Sequence, residues 1–232
     1  MDIRGKVVLV TGANRGLGKA FVTALLEGGA AKVYAGARDP GSVNIPGSTP
    51  IALDITDQAS VNRAAEQCAD VSVVINNAGF LQYGSLLADD SVENLQQHFD
   101  VNTLGTLRVS RAFAPSLARQ GSGALINVLS VLSWLSPPGA GGYSTSKSAQ
   151  WGLTNGLRGE LREQNTLVIG VHPAYIDTDM VAGVDAPKST PQEVVALTLK
   201  ALKEDREEVL VSDTSRGVKA SLSTDSPVYL NH

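Results

Sequence analysis

Short apolar segments alternate along the chain with longer segments in which apolar residues recur at helical spacing. The short segments are rich in β-branched residues and end at glycine or polar residues, as is typical of strands buried on both faces. We predict strands at 6–10, 32–36, 49–53, 71–76, 124–129, 167–172 and 208–211. We predict helices at 18–27, 60–68, 92–117, 143–163 and 192–203. This alternation predicts an α/β fold: a doubly wound, seven-stranded, mostly parallel sheet with helices on both faces.

The chain shows no internal repeat, low-complexity segment or linker, so we predict one domain over residues 1–232. Ligands of such sheets bind beyond the carboxyl ends of the strands. Residues that carry chemistry should therefore follow the strands directly.

Composition narrows the class of protein. Hydrophobic residues make up 43% of the chain and charged residues 18%, which excludes wholesale disorder. The formal net charge of −4 disfavours general nucleic-acid binding. No apolar run is long enough to span a membrane and no signal segment precedes the first strand, so we expect a cytoplasmic protein. The lone Cys68 favours a structural role, and no cluster of residues has metal-ligand spacing.

A glycine-rich turn follows the first predicted strand. Residues 11–18 read Thr-Gly-Ala-Asn-Arg-Gly-Leu-Gly and lead directly into a helix. Glycines there permit a tight turn and close approach of the backbone to a pyrophosphate, which the helix N-terminus also attracts. We predict a Rossmann fold in which this turn binds a dinucleotide through Gly12, Asn14, Arg15, Gly16, Leu17 and Gly18.

The end of the second predicted strand indicates which dinucleotide is bound. Where NAD-binding folds commonly carry an acid for the ribose 2′-hydroxyl, this chain has Ala37 followed by Arg38. Together with Arg15, Arg38 could grip a 2′-phosphate, which favours NADP(H) over NAD(H). Asp39 opposes this interpretation, because it could face the ribose or neutralise Arg38.

Asp54 follows the third predicted strand and has two possible roles. It could accept a hydrogen bond from the adenine amino group, or it could cap the next helix. For that helix, Asp57 or Ser60 is the other candidate cap.

Three residues form a candidate catalytic group. Tyr143 and Lys147 are four residues apart on a predicted helix and share one face. A lysine ammonium beside a phenol should lower the pKa of Tyr143 and make it a general acid or base near neutral pH. Ser130 follows the fifth predicted strand, and its hydroxyl could donate to a substrate carbonyl oxygen.

These motifs together resemble those of the short-chain dehydrogenase/reductase family over nearly the full chain. Residues 11–18 match its Thr-Gly-x-x-x-Gly-x-Gly turn, and 76–79 match its Asn-Asn-Ala-Gly segment. Asn102 matches a helical catalytic asparagine, residues 127–130 match the stretch that ends in the catalytic serine, and 143–147 match Tyr-x-x-Ser-Lys. The basic pair resembles that of the family's NADPH-dependent carbonyl reductases.

The resemblance implies a hydride transfer between NADP(H) and a carbonyl or alcohol carbon. Tyr143 would give a proton to the carbonyl oxygen, Lys147 would tune Tyr143 and bind ribose, and Ser130 would orient the carbonyl. Asn102 would hold a water that links Lys147 to solvent. The family's cofactor-lining positions correspond here to Asp54, Ile55, Asn76, Ala78, Gly79, Pro173, Ile176 and Thr178, beside the glycine turn, Arg38, Tyr143 and Lys147.

The chain also departs from the family. Ala174 replaces the usual glycine beside the nicotinamide, and 179–191 is short for a substrate lid. The segment 213–232 lacks the Asp-Gly-Gly ending common in tetrameric members, so a homodimer through the helices of Asn102 and Tyr143 is as plausible as a homotetramer.

Apolar and aromatic residues follow the catalytic segments and are candidates for a substrate pocket, with loop packing as the alternative. They are Phe80, Tyr83, Leu132, Trp134 and Ala174. We interpret His172 as a packing residue at a strand end. The partner we expect is a small carbonyl or alcohol compound, reduced with NADPH. The alternatives are an alcohol or steroid dehydrogenase running oxidatively, and a sensor or scaffold that binds NADP(H) without turnover.

Overall fold

Seven parallel strands form the central sheet in the computed structural model of the protein, which describes residues 1–119 and 121–230. The strands are β1 (Val7–Thr11), β2 (Lys32–Ala37), β3 (Thr49–Ala52), β4 (Val73–Asn76), β5 (Ala124–Val128), β6 (Leu167–His172) and β7 (Glu208–Leu210). Their order is β3-β2-β1-β4-β5-β6-β7, and the pairings are parallel. The order reverses between β1 and β4, which opens a crevice at the carboxyl ends of these strands.

The helices cover both faces of the sheet. They are α1 (Gly16–Glu27), α2 (Gln58–Gln67), α3 (Ser91–His98), α4 (Thr106–Arg119), α5 (Gly141–Glu160), α6 (Pro191–Lys203) and α7 (Asp213–Ser221). One core cluster joins α1 and α6 to the sheet through Phe21, Leu25 and Leu202. The other lies under α2, α4 and α5, with Phe113 and Leu157 among its buried side chains. The predicted doubly wound Rossmann fold is therefore confirmed.

Side-chain capping fixes the starts of α2 and α6. The Asp57 carboxylate accepts from Ala59 N at 2.9 Å and Ser60 N at 3.1 Å, so Asp57 is the cap of α2. At α6, Thr190 and Glu193 form a reciprocal capping box. These bonds satisfy amide groups that a helix start otherwise leaves without partners.

The predicted continuous helix at 92–117 is wrong in one respect. A π-helical segment, Phe99–Gly105, separates α3 from α4. At Gly105 a Cβ would lie 2.6 Å from Ile55 Cδ1, so the segment packs closely against the loop after β3. The apolar spacing of the sequence is compatible with either helix type, so it does not distinguish the π-helical segment from the predicted α-helix.

Other differences lie at element boundaries. Helix α5 begins two residues before Tyr143, and helix α7 was not predicted at all. The predicted end of the domain at residue 232 lies outside the described residues. No helix in the described ranges is long and apolar enough to cross a membrane.

Candidate active site

The glycine turn adopts the conformation that its glycines permit. Gly12 and Gly16 have φ of 63° and 51°, where a side chain would be strained. A Cβ on Gly18 would lie 2.1 Å from the Gly12 carbonyl oxygen, so α1 starts in direct contact with the turn. Arg15 precedes α1 and gives it no side-chain cap. The first amides of α1 are therefore available to an anion, which fits the predicted pyrophosphate.

Two neighbouring asparagines after β4 have different roles. Asn76 is 3% exposed, and its amide donates to Asn127 Oδ1 at 2.9 Å and Ser110 Oγ at 3.1 Å. The side chain thus joins β4 to β5 and α4, and the contact of Asn76 with the cofactor stays a prediction. Asn77, which the sequence analysis did not single out, donates to the carbonyls of Thr11 and Gly12 at 3.0 and 3.1 Å. It therefore holds the glycine turn in place.

The side chains that favour NADP(H) are exposed at one corner of this crevice. Both Arg15 and Arg38 are exposed, and no carboxylate of the described residues lies within 4.0 Å of either guanidinium. Asp39, which could have neutralised Arg38, accepts instead from Gly41 N at 2.9 Å and caps a short turn. The two arginines are free to bind a phosphate, which fits the predicted cofactor.

Asp54 does not cap α2, because that role belongs to Asp57. Its carboxylate accepts from Thr56 N at 2.9 Å and from Thr56 Oγ1 at 2.7 Å. Burial raises the pKa of Asp54, but the Thr56 bonds and the charges of Arg38 and Arg108 outweigh it and lower the pKa overall. Asp54 is thus a charged acceptor beside the buried Ile55, and its contact with adenine stays a prediction.

The segment after β6 borders the other side of the crevice. Pro173 is buried, and its carbonyl accepts from Val131 N at 2.8 Å. Ile176 forms an isolated bridge with Ser189, which closes the short segment between β6 and α6. The Thr178 side chain lies against Gly16, where a Cβ would come within 3.3 Å of Thr178 Cγ2. The side chain of Thr178 therefore lies beside the glycine turn, and its contact with the cofactor stays a prediction.

Ser130 and Tyr143 meet beyond the carboxyl end of β5. The Ser130 oxygen accepts from Leu132 N at 3.0 Å, and the Ser130 hydroxyl hydrogen can be donated to the Tyr143 oxygen. Burial raises the pKa of Tyr143 to about 12, although hydrogen bonding with the Ser130 side chain acts in the opposite direction. Burial disfavours the phenolate more strongly than the neighbouring groups favour it, so the pKa of Tyr143 is raised overall, opposite to the predicted direction.

Lys147 is itself nearly inaccessible, at 4% exposure. Its Nζ lies 5.7 Å from the centre of the Tyr143 ring and donates to Val128 O at 2.9 Å and Gln150 Oε1 at 2.8 Å. Burial lowers the pKa of Lys147 to about 7. The predicted pairing on one helix face is therefore correct, and both groups shift toward their neutral forms.

Asn102 lies in the π-helical segment and is fully buried. Its side chain accepts from Phe80 N at 2.8 Å and donates to Phe80 O at 3.0 Å and Ser146 Oγ at 2.9 Å. The side chain thus ties the loop after β4 to helix α5. The water that the resemblance places at Asn102 stays a prediction.

His98 is a site residue that the sequence analysis missed. It is fully buried, donates from Nδ1 to Asn94 O at 2.8 Å and accepts at Nε2 from Gln82 N at 3.1 Å. Its ring centre is 4.8 Å from that of Phe80 and 6.1 Å from that of Tyr143. Its position four residues before Asn102, on the same helical face, was the available signal.

The candidate pocket residues separate into two groups. Phe80 is half-buried and Tyr83 is 55% exposed, next to the exposed side chains of Leu86 and Leu87. Trp134, by contrast, is 7% exposed and stacks on His172 with ring centres 4.0 Å apart. Its predicted place in an open pocket is wrong, because the stacking covers its ring.

Leu132 and Ala174 pack against the same cluster as Trp134 and remain partly accessible. Their contact with substrate stays a prediction. The interpretation of His172 as a packing residue agrees with its complete burial. Among the described residues, no group of three or more His, Cys, Asp or Glu side chains could hold a metal ion.

Comparison with known proteins gives the same class. The short chain dehydrogenase family profile matches residues 6–189. A short chain dehydrogenase of Aspergillus terreus is 32% identical over 203 residues, 80% of this chain, and the aligned region spans only 44% of that relative. The 1-deoxy-11-beta-hydroxypentalenate dehydrogenase of Streptomyces exfoliatus is 32% identical over 227 residues, 89% of this chain and 82% of that protein.

A solved structure extends the likeness to three dimensions. The short chain dehydrogenase of Burkholderia cenocepacia J2315, crystallised in complex with NADP, is 39% identical, with a TM-score of 0.93 over 97% of this chain and 95% of that one. The protein belongs to the short-chain dehydrogenase/reductase family and is an oxidoreductase of that family.

Proposed function

We propose that the protein reduces an aldehyde or ketone with NADPH. The observation that carries this proposal is the arrangement of Tyr143 next to the Ser130 hydroxyl, with Lys147 Nζ 5.7 Å from the Tyr143 ring centre, and burial keeps the phenol protonated there. A group that must deliver a proton to a carbonyl oxygen has to be protonated at working pH. A pKa of about 12 meets this requirement across the neutral range.

Three residues of the chain have separate roles at the carbonyl oxygen. Ser130 donates a hydrogen bond that stabilises negative charge as it develops there. Tyr143 then gives its proton to the same oxygen. NADPH, when bound, supplies the hydride to the carbonyl carbon. Lys147, which carries a positive charge below its pKa of about 7, offsets the charge left on the phenol after the transfer.

The crevice fits NADP(H). The pyrophosphate would bind at the glycine turn, which packs closely at Gly18, and at the uncapped start of α1. The 2′-phosphate would bind to the guanidinium groups of Arg15 and Arg38. The Burkholderia cenocepacia relative was solved in complex with NADP. We infer from these observations that NADPH is preferred over NADH.

The accessible mouth of the site is apolar, which favours an uncharged apolar carbonyl compound. Tyr83, Leu86 and Leu87 are 55%, 52% and 95% exposed, and Met180 is 49% exposed. The segment 179–190 contains one short turn, Asp179–Val181, and no longer helix or strand, so we infer that it leaves the mouth open. A bulky substrate can therefore reach the catalytic group.

Oxidation of an alcohol is the second candidate direction, because the Streptomyces exfoliatus relative carries the name of a hydroxy-acid dehydrogenase. In that direction Tyr143 must accept a proton, so it has to be a phenolate first. The raised pKa predicts that oxidation by this protein accelerates as the pH rises well above neutral.

We also propose that the protein forms a homodimer through the layer of α4 and α5. Leu104 and Leu107 are 41% and 37% exposed on the π-helical segment and α4. On α5, a Cβ on Gly152, Gly156 or Gly159 would meet open space, which leaves room for a second copy. A homotetramer and the cytoplasmic location stay predictions.

The test of function is NADPH oxidation by purified protein with a panel of aldehydes, ketones and quinones. NADH, the Tyr143→Phe variant and the reverse reaction with alcohols are run in parallel. We expect turnover with NADPH and its loss, by about 10²–10⁴-fold, in the variant. Tight NADPH binding with no turnover in either protein would support the sensor alternative instead.

A further inference from the structure

A chain of buried side chains joins Lys147 to the backbone at Asn102. Lys147 Nζ donates to Gln150 Oε1 at 2.8 Å, and Gln150 Nε2 donates to Thr106 Oγ1 at 2.8 Å. The Thr106 hydroxyl in turn donates to Asn102 O at 2.9 Å. Gln150 and Asn102 are fully buried, and Thr106 is 2% exposed. These hydrogen bonds therefore link Lys147 to the residue at which the resemblance places a bound water.

The orientation of the Gln150 amide follows from its two neighbours. The Thr106 hydroxyl uses its hydrogen for Asn102 O, so it can only accept from Gln150, and the amide nitrogen must face it. The amide oxygen then faces Lys147, whose ammonium has hydrogens to donate. Within the described ranges, no carboxylate pairs with Lys147, and Gln150 is its one side-chain acceptor.

We propose that Gln150 is a positioning residue that fixes Lys147 and stabilises its charged form beside Tyr143. A buried ammonium depends strongly on the acceptors that replace water, and the amide oxygen provides one of two. This proposal rests on the proposed function only where it assumes that the charge of Lys147 assists proton transfer by Tyr143.

Two titratable groups face Lys147 besides Gln150 and the Val128 carbonyl. Tyr143 precedes it by one turn on α5, and His172 of β6 interacts with it electrostatically. Burial keeps the pKa of Tyr143 near 12 and lowers that of His172 to about 3. Both are therefore neutral around pH 7, and a change measured there reports on Lys147 itself.

The test measures the pKa of Lys147 directly, by NMR titration of protein labelled with ¹³C at the lysine Cε, with and without bound NADPH. The Lys147→Arg variant assigns the resonance. Gln150→Met matches glutamine in size and lacks the acceptor, whereas Gln150→Glu is equally matched and adds a charged acceptor. We expect the pKa to fall by about one unit in the first variant and to rise in the second.

Thr154→Val is the control for general destabilisation. Thr154 lies one turn beyond Gln150 on α5, is fully buried, accepts from Asn127 Nδ2 at 3.0 Å and donates to the backbone carbonyl of Gln150 at 2.8 Å, without a bond to Lys147 or to the Gln150 side chain. It should lower the melting temperature and leave the Lys147 pKa unchanged. With a carbonyl compound that the wild-type protein reduces, Gln150→Met should lower kcat about tenfold and change the KM for that compound little.

An unchanged Lys147 pKa in Gln150→Met would overturn the proposal, as would equal shifts in Gln150→Met and Thr154→Val. The NMR result does not depend on any substrate. Failure to find a reducible carbonyl would therefore count against the proposed function and leave this inference to be decided by the titration.

Discussion

Burial acts in opposite directions on the two ionisable residues of the catalytic group. It raises the pKa of the Tyr143 phenol to about 12 and lowers that of the Lys147 ammonium to about 7. The sequence predicted which residues meet, since their spacing of four on a helix is a local property. It could not predict the pKa shifts, which depend on how much of the chain covers each group.

Arg38 should determine the choice between the two nicotinamide cofactors. It follows β2 at the corner of the crevice and has no ion-pair partner in the described part of the chain. We expect Arg38→Ala to lower kcat/KM for NADPH by about 10–100-fold, the loss of one charged hydrogen-bonding group, and to change that for NADH little.

Steady-state kinetics with each cofactor and the same carbonyl compound measure this change. Arg206→Ala is the matched control, because Arg206 lies before β7, at the opposite edge of the sheet. If Arg38→Ala reduced activity with NADH as much as with NADPH, Arg38 would not contact a 2′-phosphate.

At the scale of elements, the sequence predicted which strands and helices exist better than it predicted their exact type and bounds. Strands β1 and β6 agree with their predicted ranges within one residue, because continuous apolar runs between polar ends define them. The π-helical segment was missed because the packing of Gly105 on Ile55 joins residues far apart in sequence. Helix α7 was missed because its nine residues are mostly small or polar, so few apolar side chains mark its buried face.

At the start of α1, we expect a glycine-to-alanine substitution to destabilise the protein, which is the opposite of its usual effect within a helix. Alanine in place of a helical glycine normally stabilises a protein by about 0.5–1 kcal/mol. At Gly18, however, the new Cβ would lie 2.1 Å from Gly12 O and 2.7 Å from Asn77 Nδ2. We expect Gly18→Ala to lower the melting temperature and to abolish NADPH binding, because the turn has to open.

Gly217→Ala in α7 is the control for this substitution. A Cβ at Gly217 meets no atom within 4 Å, so the helix rule should apply and the melting temperature should rise slightly. Thermal denaturation and NADPH fluorescence titration test both variants. Equal behaviour of the two alanine variants would contradict the close contact at Gly18.

For the whole molecule, the outer surface of the α4 and α5 layer should determine the oligomeric state. We expect Leu107→Arg to convert a homodimer to a monomer, since a charge would be buried between the two copies. Analytical ultracentrifugation of the wild type and the variant measures this. Leu87→Arg, at the mouth of the site and 95% exposed, is the control that should remain dimeric. A monomeric wild type would contradict the proposal.

The stability of the whole domain should depend on pH through one buried histidine. His172 is fully buried, and its ring stacks on Trp134. Its Nδ1 donates to Ser130 O at 3.2 Å, and its Nε2 has no hydrogen-bond partner, although Glu208 Oε1 is 3.7 Å away. Burial is the main reason that its pKa falls from 6.5 to about 3, and the positive charges of Lys219, Arg158 and Lys147 add to the effect.

The sign of the effect follows from proton binding. Between pH 6.5 and 3 the unfolded chain binds a proton at this histidine and the folded protein does not. The free energy of unfolding should therefore decrease as the pH falls through this range, by up to about 1.4 kcal/mol per pH unit from His172 alone. His172→Asn keeps an amide donor for Ser130 O but cannot titrate. Urea unfolding at several pH values should show a shallower pH dependence for the variant, whereas parallel curves for the two proteins would mean that His172 is protonated in the folded state.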